Sequence, residues 1–131
     1  MPTTKNSFDY VKVNETLIEL DDAILASSMI DKDGSLVAHS IRKGYESELS
    51  LDKKTEEMWG TWASIVVGVV RQSDKVLSET EYIAIGSKDF KGLIIPLKKW
   101  PIIVRLTLKK KTESTYITEK VIESLKTQLG K

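Results

Sequence analysis

The sequence predicts an α/β fold. A single domain is expected, ordered helix–strand–strand–helix–strand–strand–strand–helix, forming a five-stranded antiparallel sheet with helices on both faces. Three observations carry that expectation. Met58–Val70 (MWGTWASIVVGVV) holds no charged residue in a chain that is 30% charged, and its flanks fit a helix. Asp31-Lys-Asp-Gly34 lies between two apolar runs, a hairpin signature. Three further apolar runs follow in the second half, joined by connections short enough for antiparallel neighbours. The 131 residues suffice for one continuous core. Residues 1–7 are expected as a disordered lead-in and 8–131 as the domain.

Taken in order, Phe8, Val11, Leu17, Ile18 and Leu20 mark a first helix ending near Leu20, with Ser7 or Asn14 as candidate caps. Ala23–Ile30 and Leu36–Ile41 are the two strands of the hairpin, and residues 42–50 are a polar loop. The central helix is expected over 51–71, capped at Ser50 or Asp52, with acidic residues early, where the helix dipole favours them. Gln72–Glu79 is a polar connection. Glu81–Gly86, Phe90–Leu97 and Ile102–Leu108 are three strands of a meander, with Pro96 and Pro101 at strand ends, where a missing N–H does no harm. Ile117, Val121, Ile122, Leu125 and Leu129 make one stripe of a last helix, with Gly130 as its cap.

The central helix is apolar or small all round, so it needs cover on both sides. Gly60, Ser64 and Gly68 align on one face, where a second backbone has room to approach. Two helical glycines cost about 1 kcal/mol each relative to alanine, which asks for compensation. The run alone fits either the core helix of a monomer or a dimer seam. It is well short of the ~20 residues a membrane span requires.

Composition removes several classes of function. There is no cysteine and one histidine, which excludes disulfides, thiol chemistry and the usual zinc sites. The net charge is +1, so no global field points to nucleic acid or membrane. The charge is lopsided, however: residues 86–131 hold 11 basic and 4 acidic side chains. Lys88, Lys91, Lys98, Lys99 and Lys109–Lys111 are the candidate basic patch there. MPTTKNSFDY contains no apolar signal region, so a cytoplasmic chain is expected.

No chemical constellation emerges. Asp31, Asp33 and Ser35 imitate the opening of a calcium loop, but Leu36 and Arg42 stand where glycine and a bidentate glutamate are required. His39 has only Ser40 beside it, which a strand turns to the opposite face. No phosphate-cradling loop exists, so no nucleotide, metal or other cofactor is expected and the chain reads as a non-enzyme.

The element order, with AILASSMIDKDGSLVAHS, EYIAIGSKDFKGLIIPL and PIIVRLTL, resembles the Roadblock/dynein light-chain family over about residues 8–129. Asp31, Asp33, Gly34, Leu36 and Ser40 match the family's first hairpin. The resemblance implies a profilin-like sheet and a small module that forms homodimers through the central helix and the neighbouring edge strand. On this chain that seam falls on Gly60, Thr61, Ser64, Ile65 and Gly68, with Tyr82, Ile83 and Ala84. It also implies an adaptor or regulator of a Ras-like small GTPase, acting on hydrolysis or exchange. Lys53, Lys54 and Glu57 around Trp59 are the candidate partner contacts, because a polar rim about an aromatic centre is common interface anatomy. The alternative is an ordinary first turn with both tryptophans buried. The alternative function is a nucleic-acid or anionic-lipid binding module using the basic C-terminal half.

Overall fold

The computed structural model describes residues 9–129. The expected lead-in over 1–7, the Ser7 cap and the Gly130 cap lie outside the described residues. The elements are α1 (Tyr10–Ile18), β1 (Ile24–Asp31), β2 (Leu36–Ile41), α2 (Glu46–Leu49), α3 (Lys53–Arg71), α4 (Asp74–Leu77), β3 (Ile83–Gly86), β4 (Phe90–Pro96), β5 (Ile102–Lys109) and α5 (Ser114–Leu129). They form one antiparallel sheet in the order β2-β1-β5-β4-β3. The last strand returns to pair with the first, which leaves β2 and β3 as the edges. Among the described residues no helix is long and apolar enough to cross a membrane.

One face of the sheet carries α1 and α5. Leu17, Met29, Leu93, Val104, Leu106, Ile117, Val121 and Leu125 are buried there as one core. Asn14, expected as a cap, is instead buried in mid-helix. Its Nδ2 donates to the Ser27 carbonyl (2.9 Å) and to Ser40 Oγ (3.0 Å), and its Oδ1 accepts from Ser27 Oγ (2.7 Å). The cap of α1 is Asp9, whose side chain accepts from the Lys12 amide, and the helix stops at Ile18 rather than Leu20. Arg42 then gathers the carbonyls left beyond that end, donating to Ile18, Asp21 and Ile24. The Ile18 carbonyl is an acceptor that a helix terminus would otherwise leave to water, and the other two tie the connection to the start of β1.

The other face carries α3. Paired positions share a face of a sheet, so His39, Ser28, Arg105, Ile94 and Ile83 form one row across all five strands on that side. Asp52 caps α3, accepting from the Thr55 amide at 2.8 Å, and this bond holds its carboxyl below the usual range. The hairpin turn that faces α3 is set by Asp31, whose Oδ1 accepts from the amides of Asp33 (2.9 Å) and Ser35 (3.0 Å). Gly34 takes the left-handed conformation the turn needs, at φ +83°. Strand β3 starts at Ile83 rather than Glu81. Residues 42–50 and 72–79, expected as polar connections, each contain a four-residue helix.

Candidate functional site

The candidate site is the outer surface of α3. Its inner side is buried through Gly60, Ala63 and Val67. Its outer side shows Met58, Trp62, Ile65 and Val69, each between 47% and 60% exposed. These four lie at i, i+4, i+7 and i+11, which is one helical stripe. Thr61 and Gly68 lie exposed beside it. Just beyond the helix, Val76 and Leu77 of α4 are more exposed still, at 84% and 75%. An exposed apolar stripe of this kind is the usual mark of an interaction surface.

The small-residue stripe is not all part of that surface, which corrects the expectation for Gly60 and Ser64. A Cβ placed on Gly60 would stand 2.1 Å from the Gly34 carbonyl oxygen, and one on Gly34 would stand 3.4 Å from Ser64 Oγ. The backbone that approaches these two residues is therefore the chain's own hairpin turn. Gly68 differs, because a Cβ there meets nothing within 4 Å. Of the helix residues expected in a seam, Thr61, Ile65 and Gly68 are free to serve.

Among the described residues, edge strand β3 pairs with β4 alone, and its other backbone edge has no strand beside it. Ile83 is half-buried on the α3 face and Ala84 is exposed. Tyr82 is a correction: it precedes the strand and turns to α5, its hydroxyl sharing a hydrogen with Thr115 Oγ1 at 3.0 Å, and it packs on the core.

Lys53, Lys54 and Glu57 are exposed in the first turns of α3, and none is ion-paired among the described residues. Trp59, expected among them as the aromatic centre, points inward. The Arg105 guanidinium lies over its ring, 3.5 Å from the centroid. The aromatic exposed on the outer side of α3 is Trp62, one turn beyond Met58. Of the candidate basic patch, Lys91 Nζ donates to the Thr112 carbonyl (2.7 Å) and Ser114 Oγ, Lys98 pairs with Glu79, and Lys110 donates to the Ser87 carbonyl. Met58, Val69 and Arg105 were not among the site residues expected from the sequence. The spacing 58, 62, 65, 69 was the signal for the stripe, and a lone cation inside IIVRLTL was the signal for Arg105.

No family profile and no curated protein sequence matches the chain. Solved structures do. A Roadblock/LC7 domain from Streptomyces avermitilis superposes with a TM-score of 0.68 at 8% identity, covering 95% of this chain and 100% of that one. Myxococcus xanthus MglB gives 0.68 at 9% identity, over 94% and 96%. The gliding protein MglB of Thermus thermophilus gives 0.65 at 12% identity, over 87% and 83%. The fold is therefore that of the Roadblock domains, as the sequence resemblance implied.

Proposed function

We propose that this chain is a non-enzymatic homodimeric adaptor or regulator of a Ras-like small GTPase, acting on hydrolysis or exchange. The observation that supports the reading most is the exposed stripe Met58, Trp62, Ile65 and Val69 on α3. A second copy covers it in a two-fold pair, in which the same patch meets itself. The open edge of β3 gives that pair a second attachment, continuing the sheet from one copy into the next. The shared fold with Roadblock domains supports the same reading, because the family resemblance implies pairing through this helix and this strand. Regulation then needs no covalent chemistry from the chain. It needs a firm surface, and Lys53, Lys54 and Glu57 at the start of α3 supply a charged margin for one.

Binding measurements with the Ras-like GTPases of the source genome, in both nucleotide states, test this. Reversing Lys53 and Lys54 together to glutamate should weaken the complex while leaving the dimer intact, since exposed charges add little to stability. If neither nucleotide state binds, while a salt-sensitive complex with RNA or anionic vesicles appears, the basic C-terminal half is the functional surface instead.

A further inference from the structure

Between the first half of α3, the segment through α2 and the sheet lies a cavity of about 530 Å³. Leu49, Trp59, Trp62 and Phe90 wall it, and Arg105 and His39 stand at its floor. That is the size and make-up of a small-molecule site: mostly apolar, with a few polar groups converging. The floor is incompletely satisfied. Arg105 has five donors to place. Among the described residues its one hydrogen bond is a long one, Nη1 to Thr107 Oγ1 at 3.4 Å, and no carboxylate pairs with it. Stacking on Trp59 fixes the plane of the guanidinium but uses none of its N–H groups. Gly92 leaves room beside Nη2, which lies 4.0 Å from where a Cβ would stand. Burial pushes the Arg105 pKa down to about 10, so the group remains a cation at neutral pH. His39 gives Nδ1 to a 2.6 Å contact with Ser28 Oγ, and its Nε2 is buried without a partner among the described residues. The one carboxylate lining the cavity, Glu48, is exposed and does not reach Arg105.

We propose that this cavity binds a small aromatic carboxylate, its two oxygens on the Arg105 guanidinium and its ring among Trp59, Trp62 and Phe90. A planar fork of donors matches a carboxylate in bidentate fashion, and an apolar body suits the walls. The site does not depend on a GTPase partner, but it shares Met58 and Trp62 with the surface proposed for the homodimer. Trp62 contributes both to the cavity wall and to the outer stripe of α3, so a second copy is the rival occupant.

The test is calorimetric titration of the full chain with naphthalene-1-carboxylate and with its neutral carboxamide, in the native protein and in Ile65→Asp. The acid should bind at one site per chain, about tenfold tighter than the amide, the worth of a charge-assisted hydrogen bond. Arg105→Gln should bring the acid down to the affinity of the amide and leave the amide unchanged. Equal affinities in the native chain would overturn the proposal without recourse to any variant at Arg105, as would an Arg105→Gln chain that still prefers the acid. Absence of binding at millimolar acid would overturn it too. Acid binding found only in Ile65→Asp would assign the cavity to the second copy.

Discussion

Gly60 of the central helix packs directly on Gly34 of the first hairpin turn, so closely that a Cβ on Gly60 would stand 2.1 Å from the Gly34 carbonyl oxygen. The obstacle is backbone, held by a turn whose own geometry Asp31 sets, so it cannot rotate aside. Gly60→Ala should therefore destabilise the chain by about 1–3 kcal/mol, the usual range for overpacking, despite the ~1 kcal/mol that alanine gains in a helix. Gly68→Ala, with open space around it, should show only that gain when measured in a monomeric background. Urea unfolding that moved both variants the same way would mean the helix does not rest on the turn.

Ser64 faces the same turn, and its Oγ is buried with no hydrogen-bond partner among the described residues. Only its small size is needed there. Ser64→Ala should be neutral or slightly stabilising, because it removes a stranded polar group. A clear loss of stability, read from the same urea midpoints, would show that the hydroxyl has a partner.

Asn14 ties α1 to β1 and β2 through three hydrogen bonds in a buried site. Asn14→Leu has similar volume but leaves the hydroxyls of Ser27 and Ser40 without that partner. Each stranded group costs about 1–3 kcal/mol, so the variant should lose at least that much. The loss should shrink in the triple variant Asn14→Leu, Ser27→Ala, Ser40→Ala, in which neither hydroxyl is left behind and only the Ser27 carbonyl loses the Asn14 donor. Additive losses in the triple variant would argue against the network.

The elements themselves were readable because apolar period and turn chemistry are local properties: the stripe of α5, the Asp31–Gly34 turn and the cap at Asp52 all fall where the sequence places them. The orientation of α3 was not readable. A helix apolar or small all round has no polar side to tell inside from outside, so Trp59, expected at the partner surface, lies inward under Arg105 while Trp62 is the exposed one. Gly60 and Ser64 do meet a close backbone, but it belongs to the chain's own turn. The partners of Asn14, Arg42 and Arg105 were not readable, because they lie on other elements and come together only on folding. No local pattern encodes such pairings.

His39 makes stability depend on pH in a stated direction. Burial lowers its pKa below the ordinary 6.5; the charge of Glu56 works against this and that of Arg105 with it. The unfolded chain thus takes up a proton near pH 6.5 that the folded chain refuses. Stability from this group is full above that pH and falls as pH drops from 6.5 toward the folded-state value, at up to about 1.4 kcal/mol per pH unit. His39→Gln should flatten the dependence in that window and leave the steeper loss at lower pH, where carboxylates such as Asp21 take up protons. Asp21 is itself held below its usual range, first by the Ala23 amide. Parallel stability curves for the native chain and His39→Gln between pH 7.5 and 5.5 would sink the assignment.

The dimer seam predicted from the outer stripe of α3 is separable from folding, because its residues contribute little to the core of one chain. Ile65 is 59% exposed in the single chain, so Ile65→Asp should leave the circular dichroism unchanged. In a pair the same aspartate meets the partner's apolar stripe, and a charge buried without a partner is costly. Loss of a central anchor costs about 2 kcal/mol or more, so the dissociation constant should rise about 30-fold or more. Gly68→Leu should also loosen the pair, since a Cβ there meets nothing within 4 Å among the described residues and the added bulk falls on the partner. Val11→Asp is the control, because Val11 is 54% exposed on α1, which packs on the opposite face of the sheet. Sedimentation velocity separates the three variants. A native chain that sediments as a compact monomer at high concentration, or a Val11→Asp variant that dissociates as readily as Ile65→Asp, would remove α3 as the seam.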